Sequence, residues 1–558
     1  MDKVIKVIAL GGLDEKGKNC YAIEIDGDIF VLDSGVKFPD KLTPGIDYII
    51  ARFDYLFANK DRVRGYFISH GHDQVLGALP YFYRKVPALV YCTSVTKFMI
   101  DSFMLHNHLS FDIEYNIIKS GDTCMVAGRP VSFFSVSHNI PQSVGISIYT
   151  DYGNIIYFGS YVLTNSNEGN FTYDRMALVN ILSKKNTLLL LNESYYAEHP
   201  GYTSPNHDFS VLAEPTFRTA KGRIFAAVLA PDIYTISKLL NLAIKYNRKI
   251  IAYNEEAKQI FYGISKASGY VIPEKNVGHR DDVNRYRPNE VLVIMTAFES
   301  RLFNTICLLA NGQNDDKRFK LNETDTFIYG SKVNNETEIA YTESLDELYK
   351  ANVNVVYFRK NSFTRMHASQ EDIKDVINFT KPKYYLPVSG SYSQLIANAM
   401  LAVSMDCGLN FSNVFVLDNG NVIEFNNGVA HLSKETVVTG DLFVDGTGLG
   451  NGSSETMEER TQLGEQGVVI LSAGFSKSLR TITFGPVVNS KGLMFSNESD
   501  QMNKDIIKMF SATLNDEIRK PVYNIKNVES TIKEVIFRYI RRVSQRSPII
   551  IVSLFEIE

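Results

Sequence analysis

No run of about 18 consecutive apolar residues occurs anywhere in the 558-residue sequence, so no membrane-spanning helix is expected. The opening MDKVIKVIALGG has no long apolar core followed by a small-residue cleavage site, which argues against a secretory leader. Cysteine is scarce. Cys20, Cys92, Cys124, Cys307 and Cys407 are scattered, which excludes a disulfide frame or a zinc ribbon and suits a reducing cytoplasm. One-sided charge is missing as well: the formal net charge is -4, against a broad basic surface for nucleic acid, though a local basic channel stays open. What is present is the composition of a folded protein, with 45% hydrophobic, 12% aromatic and 22% charged residues. The length calls for about three domains rather than one core.

Short β-rich runs alternate with helical ones. VIKVIAL, CYAIEI and DIFVLD read as strands near the start, and GYFIS is a strand that runs into His70-Gly71-His72. SVGISIYT and NIIYFGS read as a hairpin turning at Asp151-Tyr152-Gly153-Asn154. IFAAVL, ISKLLNLAIKYN, KIIAY and EVLVIMT then alternate strand and helix, the pattern of an α/β layer with some parallel pairing. ASQEDIKDVINFTK is a helix starting at Ser369, with Asp372 three residues on. Asn419-Gly420, between VFVL and VIEF, predicts a second hairpin. Gly440 to Gly467, with GTGLGNGSSE inside it, reads as a flexible linker. Beyond it lie strands, an amphipathic helix with Ile532, Val535, Ile536, Tyr539 and Val543 at helical spacing, and a closing strand PIIIVSLFEI.

The chemistry-bearing residues gather at strand ends. His70 and His72 follow one strand, Asp33 ends another, and His138 follows VSFFSVS. Sites in open α/β sheets collect at strand C-terminal ends, and neutral imidazoles there suit zinc. A bare H-x-H is weak evidence, since most surface histidine pairs bind nothing.

The order of segments adds more. LGGLDEKGKN, VLDSGVKFP, FISHGHDQVLGALPYF, SHNIPQSVG and YFGSY resemble, in sequence, the opening motifs of the metallo-β-lactamase fold in the ribonuclease J family. LLLNESYYAEHPGYT, TRMHASQED, KPKYYLPVSGSY and NVFVLDNGNVIEF resemble that family's inserted region and the return from it, and GPVVNSKGLMF and RSPIIIVSLFEIE resemble its C-terminal domain. The resemblance covers essentially the whole chain. It implies an αββα sandwich with an inserted β-CASP α/β domain and a small C-terminal α+β domain. The expected bounds are 1–205 and 363–435 for the sandwich, 206–362 for the insertion, 436–466 for the linker and 467–558 for the last domain.

The family places two zinc ions on H-x-H-x-D-H plus later ligands. Here the motif reads His70-Gly71-His72-Asp73-Gln74-Val75. The resemblance therefore retains His70, His72 and His138, the three ligands of one zinc. It replaces the aspartate and last histidine of the motif by Gln74 and Val75, the bridging aspartate by Ser160, and the late histidine by Ser389. Asp73 stands one residue early and is expected to point elsewhere. Asp33 and Glu193 keep supporting positions outside the ligand set. The phosphate-binding H-x-S-G-H-A reads Phe363-Thr364-Arg365-Met366-His367-Ala368, keeping His367 and adding Arg365 as candidate RNA contacts. At most one zinc per chain is expected, since valine offers no lone pair, and serine and glutamine are poor zinc ligands. The implied function is an RNA-processing protein of weak or absent catalysis that associates with itself or with an active paralogue. The other reading is a working mono-zinc ribonuclease.

Overall fold

The computed structural model describes residues 4–39, 43–163, 171–203, 209–331, 337–358, 366–446, 448–450, 454–493 and 496–558. The chain divides into two compact units, one of Met1–Lys37 and Ile49–Asp441, the other of Phe38–Tyr48 and Leu442–Glu558. No helix among the described residues is long and apolar enough to cross a membrane.

In the first unit an eight-stranded sheet and a six-stranded sheet face each other. Alternating side chains from both meet in one core, with Val7, Tyr21, Ile23, Phe30 and Phe67 from the first sheet and Phe133, Ile146, Leu189 and Leu191 from the second. The six-stranded sheet buries its other face, through Phe134, Ile156, Phe158 and Leu190, under helices Arg175–Leu182, Gln370–Thr380 and Tyr392–Ser404. Strand Tyr384–Val388 closes one edge of that sheet, and Val422–Asn426 pairs with Val4–Gly11 in the other. Both layers are thus completed by chain from beyond an intervening domain. Among the described residues that domain has a five-stranded sheet, every pair parallel, with helices on both faces. Its near-continuous apolar strands, such as IFAAVL, are what a two-sided burial demands.

In the second unit Val468–Ser476 is the centre of a three-stranded sheet, between Thr481–Lys491 and Ile549–Ile557. Helices Ser496–Ile518 and Ile525–Ser544 bury Met502, Ile506, Phe510, Leu514, Ile532, Ile536 and Ile540 against one face of it.

Two local expectations need correction. Asn419-Gly420 makes a turn, closed by Asn421 N–H to the Asp418 carbonyl, but not a hairpin. The segment before it pairs only at Val414 with Tyr385, and the Asn419 side chain instead bonds both backbone groups of Leu13. The hairpin is one turn later, at Asn427-Gly428, joining Val422–Asn426 to Val429–Leu432. The segment expected to be a linker holds strand Asp441–Asp445, strand Gly448–Gly450 and helix Ser454–Gln466. Its glycines serve turns rather than a free tether: Gly440 and Gly446 both have positive φ.

Candidate metal centre

Strand Val63–Phe67 lies between Asp28–Leu32 and Val90–Cys92, parallel to both. The chain leaves its C-terminal end as Ser69-His70-Gly71-His72. Gly71 packs so closely that a Cβ there would sit 2.7 Å from Met99 Cγ, so the residue between the two histidines is confined to glycine. His138 arrives from the other sheet, after strand Arg129–Ser135. The three imidazoles form a near-equilateral triangle, with ring centroids 4.9, 4.8 and 4.9 Å apart. One ligand atom from each lies within 4.8 Å of the others, and this is the group that could hold a metal ion among the described residues.

The neighbours set the tautomers. Ser69 Oγ donates to Asp33 Oδ2 at 3.0 Å, so its single proton is committed and it accepts from His70 Nδ1 at 2.9 Å. His70 Nε2 is thereby left with its lone pair. His138 Nδ1 donates to the Met366 carbonyl at 2.6 Å, and its Nε2 stands 3.1 Å from His72 Nδ1. Zinc bonds of about 2.0–2.1 Å in tetrahedral array put ligand nitrogens about 3.3 Å apart, so this spacing fits a shared zinc. Without metal, the same two nitrogens can share a proton. Burial lowers all three histidines, His72 to about 3 and His70 and His138 well below their ordinary value, and the neighbouring imidazoles lower them further. Neutral rings with free lone pairs are what a zinc site requires.

Asp33 touches none of the histidines. It sits in the left-handed region and accepts from Ser69 N–H (2.8 Å), Ser69 Oγ (3.0 Å) and Tyr157 Oη (2.6 Å). Burial raises it to about 7 despite those bonds. Glu193 is fully buried. Its Oε1 accepts from Tyr161 N–H (2.9 Å) and Ala368 N–H (3.0 Å), and its Oε2 accepts from His367 Nδ1 (2.9 Å). Glu193 therefore fixes the 366–368 backbone whose carbonyl orients His138. The His367 ring lies 5.3 Å from that of His138 and stays partly open to solvent. Arg365, with Phe363 and Thr364, lies outside the described residues. Met366 is buried.

Gln74, Val75, Ser160 and Ser389 are the positions where the sequence is expected to depart from the family's ligands. Gln74 and Val75 form part of a short helix, Asp73–Leu76, whose carbonyls accept from Asn19 and Ser34 N–H. Gly35 runs so close beneath that a Cβ there would lie 1.6 Å from the Gln74 carbonyl oxygen. Val75 and Ser160 are buried, and Ser389 Oγ is 3.2 Å from Tyr21 Oη and 3.3 Å from Asn19 Oδ1. Asp73 belongs to none of the metal-capable groups and is raised to about 7 by burial. Sequence reading missed Ser69, Tyr157 and the Met366 carbonyl. Ser69 stands next to the motif and could have been found there, but a backbone carbonyl carries no sequence signal.

These pKa displacements define a pH response. In the metal-free protein the three histidines resist protonation that the unfolded chain accepts, so their contribution is full above about 6.5 and is lost on acidification. Asp33 and Asp73 act oppositely: raised to about 7, they favour the folded state at low pH and lose that contribution as pH rises from about 4 to 7. Asp33→Asn removes one opposing group. Urea midpoints of the chelated variant are expected to fall more steeply than wild type between about pH 6.5 and 4.5. An unchanged or shallower slope would contradict the assignment.

A double β-layer with a histidine cluster at its strand ends, interrupted by a parallel α/β domain, defines a metallo-β-lactamase-type protein with a β-CASP insertion. Residues 221–348 match the family described as Ribonuclease J, beta-CASP domain, and residues 455–557 match Ribonuclease J C-terminal domain. Ribonuclease J 2 of Staphylococcus epidermidis is 27% identical over 557 residues, covering 100% of this chain and 99% of its own. Ribonuclease J 2 of Staphylococcus aureus is 28% identical over the same span, with the same coverage. A crystal structure of a protein of unknown function from Enterococcus faecalis V583 shares the fold, with a TM-score of 0.53 at 15% identity over 76% of this chain and 100% of that one. The chain is thus similar to ribonuclease J proteins over its whole length, and two of its segments match that family's β-CASP and C-terminal domain models.

Proposed function

We propose that this chain is an RNA-processing subunit whose own catalysis is weak or absent, holding at most one zinc and acting beside an active paralogue. The observation that carries the reading is the asymmetry of the centre. Three neutral imidazoles converge, while Gln74, Val75, Ser160 and Ser389 offer no carboxylate or imidazole to a second ion. Zinc bound by His70, His72 and His138 would supply Lewis-acid polarisation. Asp33 through Ser69, and Glu193 through the Met366 backbone, hold the ligand rings in place. His367, with Arg365 before it, would meet RNA phosphate. The test is metal-dependent decay of a defined RNA.

A mono-zinc ribonuclease is the second reading. The His367–Glu193 pair favours it: a partly open imidazole, fixed in one tautomer by a buried carboxylate, is equipped for proton transfer.

The domain bounds proposed for these roles are 1–205 and 363–435 for the sandwich, 206–362 for the insertion, and 467–558 for association. Support for the last comes from the sheet of the second unit, whose open face exposes Ile470, Phe484, Ile551, Phe555 and Ile557. Such a cluster marks a docking surface. The paired substitution Ile551→Glu and Phe555→Glu is expected to lower the molar mass seen by light scattering, alone or mixed with the paralogue. Unchanged masses would count against the association role.

A further inference from the structure

We propose that a cavity in the inserted domain, beside the loop that carries His138, binds an uncharged aromatic molecule bearing one hydrogen-bond acceptor. The cavity offers about 200 Å³, below the size of a drug-sized site but enough for a single ring, since an apolar cavity of about 150 Å³ takes up benzene. One wall is a single face of helix Ile233–Lys245, where Ile236 and Leu240 are buried. The other wall includes Phe261 and belongs to a π-helical turn, Ile260–Ile264. That wider turn seats Gly263 against Phe98, where a Cβ would lie 2.0 Å from the ring. Contact made there holds the turn while the space toward the facing helix stays unfilled. π-Helical turns inside helices recur at functional sites.

The lining chemistry selects the ligand class. No charged side chain is among the lining residues. A phosphate, carboxylate or ammonium group would lose its hydration there with nothing to offset the loss, so ionic ligands and the RNA backbone are disfavoured. The polar groups are mostly committed. Ser237 Oγ donates to the Tyr234 carbonyl at 2.7 Å, and Ser265 Oγ donates to the Tyr270 carbonyl. Tyr270 Oη donates to Asn241 Oδ1 at 2.5 Å. This leaves the Asn241 amide N–H groups without a partner among the described residues, in an otherwise apolar lining. An apolar ring with one carbonyl matches that arrangement.

The cavity adjoins the metal centre through backbone. Pro141, three residues after His138, lines it. Tyr234 N–H donates to the Asn139 carbonyl at 3.0 Å, and the Tyr234 ring meets Phe171, another lining residue, edge-on at 5.2 Å. A bound ligand would therefore restrain the segment that presents the third histidine.

The test is ligand-observed NMR titration of the full chain with acetophenone and with toluene. Acetophenone is expected to bind saturably with a Kd of about 1 mM, the level ligand efficiency allows so small a molecule. Asn241→Leu is expected to weaken acetophenone about 5- to 10-fold while leaving toluene within about 2-fold, since only the former uses the amide. Ser237→Phe fills the space and is expected to abolish both. Absence of saturable acetophenone binding to the wild-type chain would overturn the proposal. So would equal weakening of both probes by Asn241→Leu, or binding that survives a folded Ser237→Phe variant. Asn241 is only half-buried, so its variant stands as a test even if Ser237→Phe does not fold.

Discussion

Purified alone, the protein is expected to degrade 5′-monophosphorylated RNA at least about 10²-fold more slowly than a family member with a complete two-metal motif. On the proposed reading Gln74 takes the place of a carboxylate that helps activate water, and an amide cannot take a proton. Losing a general base costs about 10²–10⁴ in rate, or about 3–5 kcal/mol at 1.36 kcal/mol per tenfold. Loss of a second metal ion removes further charge stabilisation of the attacking and leaving oxygens. The two effects overlap and are not additive, but either is measurable. Gln74→Ala is expected to leave any residual rate unchanged, because the amide contributes no proton transfer. The assay is decay of a labelled RNA with added zinc, run beside a His70→Ala, His72→Ala double variant that controls for contaminating nuclease. Robust activity that disappears in the double variant would replace the subunit reading with a mono-zinc ribonuclease, with the His367–Glu193 pair as the next target.

The second large effect concerns metal. At most one zinc per chain is expected by mass spectrometry of the native protein, and His138→Ala is expected to abolish it. Partners behind metal ligands typically control affinity by about 10–100-fold. Ser69→Ala is therefore expected to weaken zinc by about that factor: it removes the hydroxyl that links Asp33 Oδ2 to His70 Nδ1, while Asp33 keeps its bond from the residue-69 N–H. Glu193→Gln is expected to act in the same direction through the Met366 carbonyl. Two tightly held ions per chain would refute the assignment of Gln74, Val75, Ser160 and Ser389 as lost ligands. Wild-type affinity in Ser69→Ala would refute the relay alone.

Much of the architecture was legible because burial writes itself into residue order. The strands of both sandwich layers follow apolar runs, and the hairpin expected to turn at Asp151-Tyr152-Gly153-Asn154 turns at Asp151-Tyr152, with Gly153 and Asn154 already paired in its second strand. Helix Gln370–Thr380 starts with the reciprocal Ser369–Asp372 cap that its sequence suggests. Helix Ser496–Ile518 went unread, although Met502, Ile506, Phe510, Leu514 and Ile518 recur every four residues. Its polar majority masked that stripe. The Asn419-Gly420 signal misled because a turn dipeptide fixes a local bend, not which strands pair across it. That choice belongs to long-range partners such as Leu13, 406 residues away along the chain.

By itself the sequence determined which chemistry is available. The three histidines are there, and on the proposed reading Gln74, Val75, Ser160 and Ser389 stand where the resemblance places metal ligands. Donor type is a property of the side chain alone. Only the tertiary structure decided which ring nitrogens face inward. His70, His72 and His138 come from two different sheets, and the tautomers of His70 and His138 are set by a serine hydroxyl and by a backbone carbonyl brought in from 228 residues further along the chain. A hydrogen bond of that kind depends on where the backbone passes, not on the side chain it carries, so no reading of residue types could have supplied it.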